Sequence, residues 1–300
     1  MRTASLRADI LCLITALIWG FAFVAQRLGM EHIGPMAFNG IRFALGAIAL
    51  APLAVRSMRY PPPAPFLVGS KDGFPWIGGA IAGAILFTGA SLQQIGLKYT
   101  TAGKAGFITG LYVVLVPLLG LFFGQRAARG DVIGAVASAV GLYFLSVTED
   151  FSLAPGDGLE LIGAVFWAAH VLVIGWLSPR TRALPLALAQ YAVCSVLSLL
   201  CAFLFEAVTW EGVRGAAWPI LYGGLLSVGL AYTLQVVAQR DAKPTHAAIL
   251  LSFETVFAAV GGALFLDESL GGRGLLGCCL MFAGMLAAQL WPKTPGRPGA

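Results

Sequence analysis

Charge is scarce in this chain. Only 11% of its 300 residues are Asp, Glu, Lys or Arg, against about a quarter in soluble domains. A soluble core of this size needs a polar shell, and too few charged residues remain to build one. Histidine is rarer still, with three in the whole chain, and no row of Asp, Glu and His suggests a hydrolytic site. No GxxxxGK phosphate loop occurs, so the chain carries no ATPase of its own. No HExxH or GxSxG motif occurs either. All five cysteines (Cys12, Cys194, Cys201, Cys278, Cys279) lie in apolar runs without metal-ligand spacing, and they read as small core residues. No metal or cofactor is implied.

Long apolar runs fill the chain instead. The hydrophobic fraction is 58% and the mean hydropathy is +0.84. A helix needs about 20 mainly apolar residues to cross a bilayer. Ten such stretches can be placed, at 9–29, 35–55, 74–97, 103–123, 130–147, 158–177, 184–206, 215–238, 245–265 and 271–291. The expected fold is an all-α integral membrane protein of ten transmembrane helices, with the lipid bilayer as its surroundings. Arg2 and Arg7 before the first run mimic a signal peptide. That run is long, contains Trp19 and ends in Gln26-Arg27 without a small-residue cleavage site, so a retained helix is expected.

The net charge of +5 raises the question of nucleic acid, but its distribution argues against that partner. Thirteen of the nineteen Lys and Arg residues fall on one set of alternate loops and the termini, five fall on the other set, and Arg42 lies inside a span. The acids Glu31, Glu149, Asp150, Asp157, Glu206, Glu211, Asp267 and Glu268 gather on the poorer side. The positive-inside rule then puts both termini in the cytoplasm.

The two halves of the chain echo each other. Trp19 matches Trp167, Pro35 matches Pro185, Gln93 matches Gln235, and Gly134 and Gly141 match Gly277 and Gly284. LFFGQ at 121–125 sits over LFLDE at 264–268. The offset shrinks across the pairs because the first half carries a longer, proline-rich loop at 56–73. Five spans per unit is an odd number, so the second unit enters the membrane in the opposite sense. Units 9–147 and 158–291 therefore read as inverted repeats around a central cavity, the plan of many secondary transporters.

Three passages resemble the drug/metabolite transporter superfamily in its ten-helix EamA-type branch. They are ALIWGFAFVAQRLGMEHIGPMAFNGIRFALGAIAL (16–50), GLKYTTAGKAGFITGLYVVLVPLLGLFFGQR (96–126) and LLSFETVFAAVGGALFLDE (250–268). The likeness covers nearly the whole chain, and bacterial amino-acid exporters of the YddG type are a looser likeness within it. It implies transport of a small-molecule substrate by alternating access across a bacterial inner membrane, with helices one, three, four, six, eight and nine lining the cavity. Export and an amino-acid substrate rest on this resemblance, as does the alternative of an organic cation, drug or sugar phosphate. A membrane-embedded enzyme is the rival from another class, and the short loops offer it no catalytic cluster. The chain departs from the family pattern at Thr255, Tyr112 and Gln125, which bears on where the helices bend.

Polar and aromatic residues at mid-depth are the candidates for the pathway. Glu254 lies about 13 Å into its span at 1.5 Å per residue, where an ionised carboxylate costs about 3 kcal/mol unless it faces a cavity or partner. It either meets a substrate amine or proton, or locks the bundle by a hydrogen bond. His170 sits one turn beyond Trp167. It either contacts a substrate carboxylate or proton, or stays neutral and hydrogen-bonded. Trp19, Tyr112 and Trp167 are too deep for the interfacial belt. They either pack or wall the cavity, where aromatic faces suit amino-acid side chains and cations. Gln93 and Gln235 are expected near opposite mouths, as vestibule linings or helix-to-helix hydrogen bonds. Arg42 is about 10 Å below the expected outer surface, and an outward snorkel is favoured over a ligand role. An acid without a lysine at the midplane favours amines or zwitterions over phosphorylated anions.

Overall fold

The computed structural model describes residues 2–59, 76–123, 129–146, 155–269 and 271–290. The proline-rich loop, Gln125, Glu149, Asp150, Lys293 and Arg297 lie outside the described residues. The described chain is helical throughout, without a strand. The first three spans are α1 (Arg2–Gly29), α2 (Pro35–Met58) and α3 (Trp76–Gly96). The fourth is broken into α4 (Ala102–Gly110) and α5 (Tyr112–Gly120). Then come α6 (Arg129–Ser146), α7 (Pro155–Leu177) and α8 (Ala183–Phe205), followed by a short α9 (Trp210–Gly215). The eighth span joins α10 (Ala217–Leu221), a π-helix (Tyr222–Tyr232) and α11 (Thr233–Ala238). The ninth is broken into α12 (Pro244–Leu251) and α13 (Glu254–Phe265), and the tenth is α14 (Gly272–Leu290).

Among the described residues, eight stretches are long and apolar enough to cross a bilayer, and two shorter apolar helices fill the fifth and tenth places at 132–145 and 272–284. Large apolar side chains point outward along them, including Ile48, Ile77, Phe203 and Leu264. Exposed Trp210 and Trp218 mark one rim. This outer skin costs little against lipid and would be ruinous in water. Proline opens α2, α7 and α12, where its missing N–H is no loss.

Packing inside the bundle is reciprocal between halves. The first span lies on the eighth and ninth, and the sixth lies on the third and fourth. The second packs on the seventh and eighth, and the seventh packs on the second and third. The fifth and tenth form their own pair. There, a Cβ at Gly141 would sit 2.6 Å from the Gly277 carbonyl, and one at Gly277 would sit 2.6 Å from the Gly141 carbonyl. Gly284 meets Gly134 and Ser138 in the same way, with Ser138 Oγ donating to the Met281 carbonyl at 3.4 Å. Only side-chain-free backbones approach this closely.

Two breaks and one near-contact set the site. The fourth span turns tightly at Leu111, whose N–H reaches the Ile108 carbonyl at 3.1 Å, so Tyr112 opens the second half-helix. The ninth span turns at Ser252-Phe253, so Glu254 opens its second half. Tyr112 and Glu254 are 142 positions apart, the same offset that relates Gln93 to Gln235. The first span comes against the ninth at this break because Gly20 has no side chain. A Cβ there would lie 2.3 Å from Phe257 Cβ and 2.8 Å from the Glu254 carbonyl.

Candidate functional site

One cavity occupies the centre of the bundle. Trp19, Gln93, Tyr112, Trp167, His170, Gln235 and Glu254 all line it, so the structure brings the seven sequence candidates into one place. The first, third, fourth, sixth, eighth and ninth spans supply all of its lining but one residue, and Arg42 adds the second span. Its volume is about 30 Å³, room for one or two waters and not for an organic solute. The structure is therefore closed around its centre.

Tyr232 holds the aromatic wall together. Its ring centroid lies 4.4 Å from Trp19 and 5.9 Å from Phe43. It stacks on Trp167 at 6.2 Å with 27° between planes, and meets His170 edge-on at 6.2 Å. Thus the matched tryptophans, Trp19 and Trp167, flank one tyrosine. Sequence reasoning missed Tyr232. Its signal was present, because Tyr232 precedes Gln235 by three residues and so shares its face of the helix. The π-helix that ends at Tyr232 widens the backbone, a feature often found at functional positions.

The polar groups divide into satisfied and open ones. His170 Nε2 lies 2.8 Å from Gln190 Oε1, so as placed it donates to that oxygen. This is a hydrogen-bonded arrangement between the sixth and seventh spans. Trp19 Nε1 donates to the Ser227 carbonyl at 3.3 Å. By contrast, Trp167 Nε1 and the Oε1 atoms of Gln26 and Gln235 are buried without a partner. Buried polar atoms are rarely left so, and here they border the cavity. Gln93 and Gln235 each lie three residues from the end of their span. Both are buried, at 5% and 1% exposure, on the same cavity.

Glu254 sits at the N-terminal end of α13, 4% exposed, with the Tyr112 ring beside it. The free N–H groups of a half-helix start favour negative charge there. No inter-helix ion pair claims this carboxylate among the described residues.

Arg42 corrects the expectation of a snorkel. It is 2% exposed and turns inward to the cavity. Its Nε donates to Asn39 Oδ1 at 2.9 Å, and Asn39 Nδ2 donates to the Ala90 carbonyl at 3.0 Å. The rings of Phe38 and Phe43 lie 5.7 Å and 5.0 Å from the guanidinium carbon. Aromatic faces and a cavity offset the cost of burying the charge.

Both ends of the bundle are tied shut. At the end expected to face outward, the Glu206 carboxylate accepts from the N–H groups of Met36 and Ala37, both at 2.8 Å. The Glu268 carboxylate accepts from Ala102 at 2.7 Å and Gly103 at 2.9 Å. Lys104 pairs with Asp157 at 2.6 Å, and Arg27 donates to the Leu97 carbonyl at 2.7 Å. At the other end, His246 meets Asp9 at 2.7 Å and Arg182 donates to the Ser57 carbonyl at 2.6 Å.

Comparisons with known proteins agree with this architecture. Two stretches, residues 6–147 and 154–288, match the EamA-like transporter family. An uncharacterized transporter of Archaeoglobus fulgidus is 32% identical over 288 residues, which is 95% of this chain and 86% of that protein. A probable amino-acid metabolite efflux pump of Salmonella typhimurium is 25% identical over 293 residues, 92% of each chain. A solved crystal structure superposes with a TM-score of 0.69 at 20% identity, covering 94% of this chain and 96% of its own, which is a likeness of fold.

Proposed function

Because the chain belongs to the EamA-like transporter family, we propose that it is a secondary carrier that exports amino acids from the cytoplasm by alternating access. Its two five-span units, 9–147 and 158–291, are inverted about the central cavity. The reciprocal packing of the spans and the mutual Gly141/Gly277 contact support that two-fold relation. Both termini face the cytoplasm of a bacterial inner membrane in this reading, which the charge asymmetry supports.

The observation that carries the substrate reading is the cavity itself. It lies at the centre of the bundle, is walled by Trp19, Trp167 and Tyr232, and holds one buried acid, Glu254. Stacked aromatic faces accept apolar and cationic parts of a solute, and Glu254 compensates an ammonium in low dielectric. A phosphorylated anion would meet that carboxylate unfavourably, with Arg42 as the one cation on the described lining to offset it. A relative named as a probable amino-acid metabolite efflux pump points the same way. At about 30 Å³ the cavity has to expand to admit any such solute, which suits a carrier that closes between its two open forms.

Counterflow in proteoliposomes tests the reading. Preloaded unlabelled amino acid should drive saturable uptake of labelled leucine, phenylalanine or threonine. Amino-acid flux no higher than in empty liposomes, with robust flux of a sugar phosphate, would overturn the substrate and leave a carrier of another solute.

A further inference from the structure

The cavity contains two opposite charges that do not neutralise each other. Arg42 and Glu254 both line it, yet they form no ion pair. Tyr232 lines the same cavity. A buried arginine that served only to hold the bundle would bond carbonyls or acids of other spans. Arg42 does not. Its one described hydrogen bond goes to Asn39, three residues back on its own helix. Asn39 in turn is fixed to the third span through Ala90. The stem packs against the eighth span where Gly223 lacks a side chain, since a Cβ there would lie 3.2 Å from Arg42 Cδ. Asn39, Gly223, Phe38 and Phe43 thus fix the Nε edge and the flanks of the guanidinium. Its two terminal nitrogens have no described partner. Arg42 itself lines the cavity.

A guanidinium stays charged and offers a planar fork matched to a carboxylate. We propose that Arg42 is the carboxylate anchor of this cavity, making the site dipolar: the amino acid's carboxylate docks on Arg42 and its ammonium faces Glu254. The proposal rests on the amino-acid reading given above. It adds a specificity that Glu254 and the aromatics alone do not supply, namely rejection of amines and amides. The walls around Tyr232 then receive the side chain.

Competition against labelled leucine, phenylalanine or threonine in wild-type proteoliposomes decides it first. The free acid should compete about tenfold or more better than its carboxamide or the decarboxylated amine, because a buried charge left unpaired is costly. Arg42→Gln should lose that discrimination, with acid and amide within about twofold, and Arg42→Lys should restore part of it. Binding read from the quenching of tryptophan fluorescence serves where the variant's flux is too low to compete. Equal competition by acid and amide in the wild type overturns the anchor even if no variant folds. So does an Arg42→Gln protein that still prefers the acid. A wild type that exchanges none of the three amino acids overturns the amino-acid reading itself, and the two failures are told apart by that control.

Discussion

The Glu268 carboxylate and the Gly103 amide, 165 positions apart, meet at 2.9 Å. The same carboxylate takes the Ala102 amide at 2.7 Å, so it caps the first turn of α4 from the neighbouring ninth span. The approach needs a reversal of the chain after α13. Asp267 provides it at φ 50°, a left-handed conformation that Asp tolerates better than most residues. Glu206 does the same for α2 through Met36 and Ala37. Each carboxylate therefore sits where a helix start offers free N–H groups and positive potential.

These two clamps hold the expected outer end closed. Hydrogen bonds to a charged group contribute about 1.5–3 kcal/mol each. Replacing Glu206 and Glu268 together by Gln should shift the carrier toward its outward-open form by about tenfold, since about 1.4 kcal/mol suffices for that. A single cysteine replacing Thr109 on the cavity, in a background without native cysteines, reports the change. Its labelling by an impermeant thiol reagent from outside should speed up by that factor. Unchanged labelling would mean that the clamps are not part of the gate.

Tyr232 should matter more than any one tryptophan. It touches Trp19, Phe43, Trp167, His170 and Tyr191. Truncating a buried aromatic to Ala typically costs about 3–5 kcal/mol, so Tyr232→Ala should lower the melting temperature and abolish transport. Tyr232→Phe keeps the packing and should melt within about 1 kcal/mol of wild type. Trp167→Ala and His170→Ala should reduce flux while remaining folded. Normal flux in Tyr232→Ala would remove Tyr232 from the pathway.

The sequence read well where composition and period carry the signal. Ten apolar runs, the family resemblance and seven cavity residues were visible because membrane-depth polar and aromatic residues are costly and stand out. Arg42 was misjudged because depth along one helix says nothing about which way a long side chain turns. Asn39 and Gly223, on two different spans, decide that. Tyr232 went unseen among seven tyrosines, since its role depends on rings from five other positions. The π-helix and the helix breaks left no composition signal, as no proline stands at Leu111 or Ser252.

Glu254 can be separated from a structural lock. Its carboxylate has no described ion pair, and its side-chain neighbour across the two helix breaks is the Tyr112 hydroxyl, to which a glutamine can also bond. Glu254→Gln should therefore keep a melting temperature close to wild type and lose about tenfold or more of amino-acid exchange. A large fall in melting temperature with proportionate loss of exchange would assign it to the bundle's architecture instead.

The reciprocal glycine contact tests the relation between halves. Gly141 and Gly277 each lack room for a Cβ, with the partner's carbonyl at 2.6 Å in both directions. Substitution at either forces the fifth and tenth spans apart, and overpacking of this kind typically costs about 1–3 kcal/mol. If the halves are two-fold related, Gly141→Leu and Gly277→Leu should lower the melting temperature by similar amounts. The double variant should cost clearly less than the two singles added, because the first already opens the contact that the second would crowd. Full additivity would mean that the two glycines act at separate contacts, and the two-fold relation would lose its best local support.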